Sequence, residues 1–411
     1  MQKTIETSPS NADGAASTAL PVLLALSVGH LLNDMMQSLV PAIYPIIKDA
    51  HGLSFGQIGL ITFAFQLTAS LFQPAVGYFT DKRPQPFSLV VGMGFSLIGL
   101  VILGYATSYG MLLAGAALVG TGSAIFHPEA TRVARMASGG RQGFAQAIFQ
   151  LGGQGGSAIG PVLAAFIVVP NGQSSVAWFA LVAVLAMVVL NFVGRWYAER
   201  VPEMMVRKSV PAGDDAVSTS ASKGVLFAVF ILIVLMFSKS AYTASFTSYY
   251  TFFLIDKFGI SIKNAQLMLF VYLFAGAIGV LVGGPLGDRI GRRRIIWFSI
   301  LGALPFSLAL PYAGLFWTGV LTVAVAFIMS SAFAAILVFA MELLPGRVGL
   351  IGGLFYGLVF GLGAVSAGLL GVLADQTSIA TVFRWCALLP VVGILTWFLP
   401  DIRSSSGDDV T

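Results

Sequence analysis

Charge is what this sequence has least of. Asp, Glu, Lys and Arg make up 9% of its 411 residues, against roughly a quarter in soluble globular proteins. Apolar residues make up 57%, and mean hydropathy is +0.89. A folded chain of that composition has too little polar surface to cover itself in water, so lipid is its expected solvent. Cysteine occurs once, at Cys386, which excludes an intrachain disulfide and any cysteine-based metal cluster. The three histidines are scattered along the chain, and no metal site is expected. There is no HExxH motif, no Gly-x-Ser-x-Gly and no pair of carboxylates inside an apolar run, which argues against an intramembrane enzyme. The net charge of +5 does not mark a nucleic-acid binder, because the basic residues sit in short links beside apolar runs.

What the chain has instead is a series of apolar segments. Twelve are expected, at 20–47, 55–80, 86–106, 109–133, 143–169, 176–197, 223–254, 262–286, 294–312, 315–341, 347–373 and 380–400. A helix of about 20 apolar residues crosses a bilayer. Residues 1–18 are polar and read as a disordered tail with no cleaved signal peptide. Residues 19–197 and 223–402 each hold six segments. A polar linker, 198–222, separates them, and 403–411 form a second tail. In loops opposite the N-terminus lie four of the 22 Lys and Arg: Lys48, Lys257, Lys263 and Arg384. Lys239 falls inside a segment, and the other seventeen lie on the N-terminal side. Basic residues favour the cytoplasmic face, so both termini and the linker are expected there.

The two halves echo each other. Gly52-Leu-Ser54 matches Gly259-Ile-Ser261, and Gly77 to Asp81 matches Gly284 to Asp288, both at an offset of 207. Gly140-Arg141 matches Gly346-Arg347, and Phe149 and Gly155 match Phe355 and Gly361, at 206. An ordered series with a one-residue slip implies two homologous halves, an architecture found in membrane transporters.

Gly284-Pro-Leu-Gly-Asp288-Arg289-Ile-Gly291-Arg292-Arg293 lies between segments 8 and 9. With twelve segments, two halves and a central linker, it resembles the signature of the major facilitator superfamily. The first-half copy is degraded: Gly77, Asp81 and Lys82 remain, but Pro84 replaces the later glycine. Gly156-Ser-Ala-Ile-Gly160-Pro161 is similar to the core of that superfamily's antiporter motif, although Ala164-Ala165 stand where its closing glycines would be, and Ala116 stands where its fourth segment usually has arginine. Further stretches are similar to the bacterial fosmidomycin-efflux branch. These are His30 to Ser38, Phe126-His127-Pro128-Glu129, Arg132 to Arg141 and Glu342 to Arg347. The resemblance implies an all-α integral membrane protein with twelve helices in two pseudo-symmetric six-helix bundles. It implies a monomer in the bacterial inner membrane that expels a small anionic phosphonate drug in exchange for protons, with the proton gradient and no cofactor as energy source. It also implies gating roles for Gly77, Asp81, Gly284, Asp288, Arg289, Arg292, Gly156, Gly160 and Pro161. Asp81 would meet the start of the eleventh helix and Asp288 that of the fifth.

Ionisable groups inside a membrane are costly and therefore functional candidates. His30, Asp34, Gln37, Pro41 and Tyr44 share one helical face, expected to line a water-filled cavity, with Asn33 beside it. Asn33 and Asp34 could instead hydrogen-bond a neighbouring helix. Lys239 shares a face with Tyr242 and Tyr249, with Tyr250 adjacent. An ammonium among hydroxyls suits a small anion, or Lys239 could pair with Asp34 across the halves. Glu129 lies one turn from Arg132, beside His127. It could exchange a proton while moving between dry and paired environments, or form a static pair. Gln66, Gln150 and Gln154 are candidate hydrogen-bond donors to substrate. Proton coupling is thus expected from Asp34, Glu129, His30, His127 and Arg132. Import of an organic anion in the same fold stays open as an alternative to export.

Overall fold

The computed structural model describes residues 18–202, 223–343 and 348–400. Twelve helical segments follow one another among them. The first half comprises α1 (Leu20–Ala42, continued by Tyr44–His51), α2 (Phe55–Lys82), α3 (Ser88–Gly104), α4 (Tyr109–Met136), α5 (Gln142–Leu163, continued by a π turn, Ala164–Val168) and α6 (Gln173–Phe179, then Ala180–Ala198). The second comprises α7 (Lys223–Phe258), α8 (Ile262–Ile290), α9 (Arg292–Leu301, then Leu304–Ala309), α10 (Leu315–Ser330, then Phe333–Leu343), α11 (Val348–Gln376) and α12 (Ile379–Cys386, then Leu389–Phe398). The twelve expected segments match these helices to within a few residues. Leu181, Val188, Phe230 and Leu369 are exposed on their outer faces, as a lipid-facing surface requires.

The sequence repeat has a local physical basis. Gly52 and Gly259 adopt φ of +60° and +63°, a left-handed conformation that glycine reaches without steric cost. Each ends one helix. Ser54 and Ser261 then cap the next, accepting from the backbone N–H of Gln57 and Asn264. An N-terminal serine satisfies one of a helix's orphan donors. The same turn is therefore built twice, before α2 and before α8.

Within the first half, α1 packs on α5, and α4 packs on α2 and α3. Glycine sets the α1–α5 distance. A Cβ at Gly152, Gly156 or Gly160 would lie 2.0–2.1 Å from Ser27 O, Leu31 O or Ser38 Oγ. These glycines recur every four residues and form one face, along which the two backbones touch. Gly156→Val should force the helices apart. Overpacking of this kind typically costs about 1–3 kcal/mol, so the variant should melt at lower temperature in detergent than Gly77→Val, where a Cβ meets nothing within 4 Å. Equal melting temperatures would refute the contact.

The halves meet through α2–α11 and α5–α8, and these pairs exchange under the two-fold relation between halves. Phe55 N and Gly56 N, at the start of α2, donate to the two oxygens of Asp375 on α11, each at 2.7 Å. Tyr249 Oη donates to Ala367 O at 2.6 Å. Added Cβ atoms would clash at Gly59, 2.6 Å from Ala367 O, and at Gly371, 2.4 Å from Phe55 O. Farther along, the helices diverge. Gln66 still reaches Gly363, but a Cβ at Gly361, Gly357 or Gly77 would meet nothing within 4 Å. The halves thus form a wedge, closed at the end bearing Gly52 and Gly259.

Candidate functional site

A cavity of about 430 Å³ occupies the wedge, lined by side chains from α1, α2, α4 and α5 and from α7, α8, α10 and α11. Its closed end is a hydroxyl contact: Thr62 Oγ1 donates to Tyr44 Oη at 2.8 Å and lies 3.4 Å from Ser248 Oγ.

The wall from the first half carries the Asp34 carboxylate and the His127 imidazole, with His30 buried behind them. His30 and Asp34 stand one turn apart on α1, with His30 Nε2 3.3 Å from Asp34 Oδ2. His127 Nε2, from α4, lies 3.7 Å from Oδ1. Asn33 and Gln37 donate to Oδ1 at 2.9 and 3.1 Å. Each imidazole is anchored by its far nitrogen: His30 Nδ1 on Phe149 O at 2.8 Å, and His127 Nδ1 on Ser123 O at 3.0 Å. A carbonyl oxygen only accepts, so each Nδ1 carries a proton. Each Nε2 then turns either a lone pair or a second proton toward Asp34. A lone pair facing an ionised carboxylate is repulsive. The His30–Asp34 contact therefore needs a proton between its atoms, held as imidazolium–carboxylate or as imidazole–carboxylic acid. His30 is also locked in place. Its ring stacks on Phe149 with centroids 4.0 Å apart, and Gly153 leaves it a notch, since a Cβ there would lie 2.4 Å from Cε1.

The wall from the second half carries Lys239. Its Nζ donates to Met329 O at 2.5 Å and lies 3.5 Å from Ser299 Oγ. Helix α10 is interrupted after Ser330, and the last carbonyls of a helix lack intrahelical partners. The ammonium satisfies one of them at the negative end of the helix dipole. Asp34 and Lys239 face the same cavity but are not paired with each other, which corrects the ion-pair alternative.

Several sequence candidates fall elsewhere. Gln37, Tyr44, Gln66 and Gln154 line the cavity with Asp34, His127 and Lys239, whereas Gln150, Tyr242, Tyr249 and Tyr250 are not in its lining. Tyr242 and Tyr250 flank Phe246 in the core of the second half, with Tyr250 Oη 2.6 Å from Thr322 Oγ1. Tyr249 belongs to the closed end. The hydroxyls that α7 contributes to the cavity lining are instead Ser240, Thr243, Thr247 and Ser248. Glu129 is fully buried outside the cavity lining, with Arg132 Nη1 at 3.2 Å and Ser88 Oγ at 3.3 Å. Arg132 also donates to Thr80 O at 2.7 Å, so the group ties α4 to α2 and α3. Arg289 is exposed, and Arg292 pairs with Glu342, joining α9 to α10. Pro161 sits inside α5, just before the π turn. The side chains of Asp81 and Asp288, and the packing at Gly284, lie outside the described residues. The expectation of no metal site rested on scattered histidines; folding instead brings His30 and His127 together, with ligating atoms of these two and Asp34 all within 4.8 Å of one another.

Comparison with known proteins agrees with this architecture. The Major Facilitator Superfamily model matches residues 26–368 and 240–410. The chain is 56% identical to the Fosmidomycin resistance protein of Escherichia coli (strain K12), over 94% of this chain and 95% of that one. It is 26% identical to the Nitrite extrusion protein of Bacillus subtilis (strain 168), over 74% and 73% of the two chains. Among solved structures, a bacterial homologue of the human lysosomal transporter Spinster, in an inward-facing and occupied conformation, superposes with a TM-score of 0.71 at 16% identity, covering 92% of this chain and 94% of that one. A D-xylose–proton symporter superposes with a TM-score of 0.71 at 14% identity, covering 94% and 99%. With an all-helical fold and an overall match of this extent, the chain is a multi-pass membrane transporter belonging to the major facilitator superfamily.

Proposed function

We propose that the protein is a proton-driven exporter of a small anionic drug, a phosphonate of the fosmidomycin type, working as a monomer in the bacterial inner membrane. One observation carries this reading: a single cavity between the halves presents a lysine ammonium on one wall and a proton-holding carboxylate–imidazole cluster on the other. Lys239 supplies charge to the anion, and neighbouring hydroxyls supply hydrogen bonds. Asp34, with His30 and His127, carries the proton. Rocking of the halves about the α2–α11 and α5–α8 contacts exposes the cavity to either side in turn. The 56% identity to a fosmidomycin resistance protein supports the substrate class and export. Glu129 and Arg132, set apart from the cavity, hold α2, α3 and α4 together.

The bias of basic residues toward the loops on the N-terminal side supports cytoplasmic termini, and in that orientation the open end of the wedge faces inward. A cysteine placed at Gly361 should react with an impermeant maleimide from the cytoplasmic side and not from outside; the reverse labelling would overturn the orientation. In cells, expression should lower accumulation of fosmidomycin, and an uncoupler should abolish the difference. Unchanged accumulation in energised cells would sink the export reading.

A second reading is proton-coupled import of an organic anion. It is favoured by the shared cavity, since an anion beside the His30–Asp34–His127 cluster attracts protons rather than repelling them.

A further inference from the structure

We propose that His30, Asp34 and His127 form a binding site for a divalent transition-metal ion such as Zn²⁺ or Co²⁺. Three features of the geometry point to it. The ligating atoms converge: His30 Nε2 and His127 Nε2 lie 3.3 and 3.7 Å from the Asp34 oxygens, and the three residues' ligating atoms lie within 4.8 Å of one another. Zinc holds its nitrogen and oxygen ligands at about 2.0–2.2 Å, which sets neighbouring ligands roughly 3.3 Å apart, so small side-chain shifts suffice. Both imidazoles are also oriented as metal ligands. Each donates its Nδ1–H to a backbone carbonyl, Phe149 O or Ser123 O, leaving Nε2 free to coordinate. Such outer hydrogen bonds fix the ring and the tautomer in metal sites. The site is reachable as well, because Asp34 and His127 line the cavity, where water or an anionic ligand completes the shell.

The donor set selects the metal. Two imidazoles and one carboxylate suit zinc, cobalt, nickel or copper, whereas calcium and magnesium prefer all-oxygen shells. Binding releases the protons held between these atoms. The metal and the proton therefore compete for one place, and Zn²⁺ inhibits proton-driven transport. Metal binding stands on geometry alone, while inhibition rests on the proton role proposed above.

The test is a titration of purified, untagged protein with Co²⁺, read by its visible ligand-field absorption. A saturable band at one ion per chain is expected. It should be lost, or its midpoint moved at least ten-fold, in Asp34→Asn, His127→Ala and the better-packed His127→Gln, with folding checked by thermal melting. His51→Ala, at the closed end where His51 bonds Gln173, should keep it. Absence of a saturable band, or a band indifferent to Asp34 and His127 in folded variants, overturns the site. If Co²⁺ binds as expected but Zn²⁺ leaves pH-driven transport unchanged, the metal site stands and the proton assignment falls.

Discussion

Lys239→Ala should weaken phosphonate binding by roughly ten- to a hundred-fold. Lys239 is the sole Lys or Arg among the described residues lining the cavity. A hydrogen bond to a charged partner contributes about 1.5–3 kcal/mol, and each 1.4 kcal/mol is a factor of ten in affinity. Truncation also removes the donor to Met329 O, which costs about 1–3 kcal/mol for an unpaired buried acceptor, so the variant should melt earlier as well. Lys239→Gln separates the two effects. Its amide can still donate to a carbonyl but carries no charge, so stability should recover while binding stays weak. Lys239→Arg should retain part of the affinity, because the charge is kept. Calorimetric titration with the phosphonate gives the affinities. Wild-type binding by a folded Lys239→Ala protein would remove Lys239 from the anion site.

Asp34→Asn should abolish concentration of substrate against a gradient while leaving binding within a few-fold of wild type. A proton carrier must alternate between protonated and ionised forms, and asparagine is fixed in a neutral one. In the proposed scheme the anion is held on the opposite wall, at Lys239. One pH unit stores about 1.4 kcal/mol per proton, enough for roughly ten-fold accumulation, and this drive should fall to none. His30→Gln should act in the same direction, since the proton between Nε2 and Oδ2 loses one of its two holders. Glu129→Gln should leave coupling intact, because Glu129 is bonded to Ser88 and Arg132 away from the cavity. If Asp34→Asn still accumulates substrate, or Glu129→Gln does not, the proton path runs elsewhere.

The sequence makes the fold legible because the bilayer imposes it. Apolar run lengths mark the helices, and repeated Gly-x-Ser turns mark the two halves. Half of the site is legible for a related reason. His30, Asp34, Gln37 and Tyr44 are polar in an apolar helix, so their shared face stands out. The other half is obscured on α7. Spacing alone marks its tyrosines, polar at one end and bulky, as the binding face, yet Tyr242 and Tyr250 pack with Phe246 in the bundle core. The cavity forms where side chains are small, along Ser240, Thr243, Thr247 and Ser248. That row of hydroxyls at helical spacing was the available signal. The meeting of His127 with His30 was not readable, since it depends on how α4 docks against α1.

The most direct measurement of the central claim is accumulation of labelled fosmidomycin in proteoliposomes under an imposed pH gradient of either sign. Protons leaving an acidic lumen should drive substrate inward, giving accumulation above equilibrium that Asp34→Asn abolishes, with none when the outside is acidic. Accumulation only with an acidic exterior would show proton and anion moving together and contradict export by exchange.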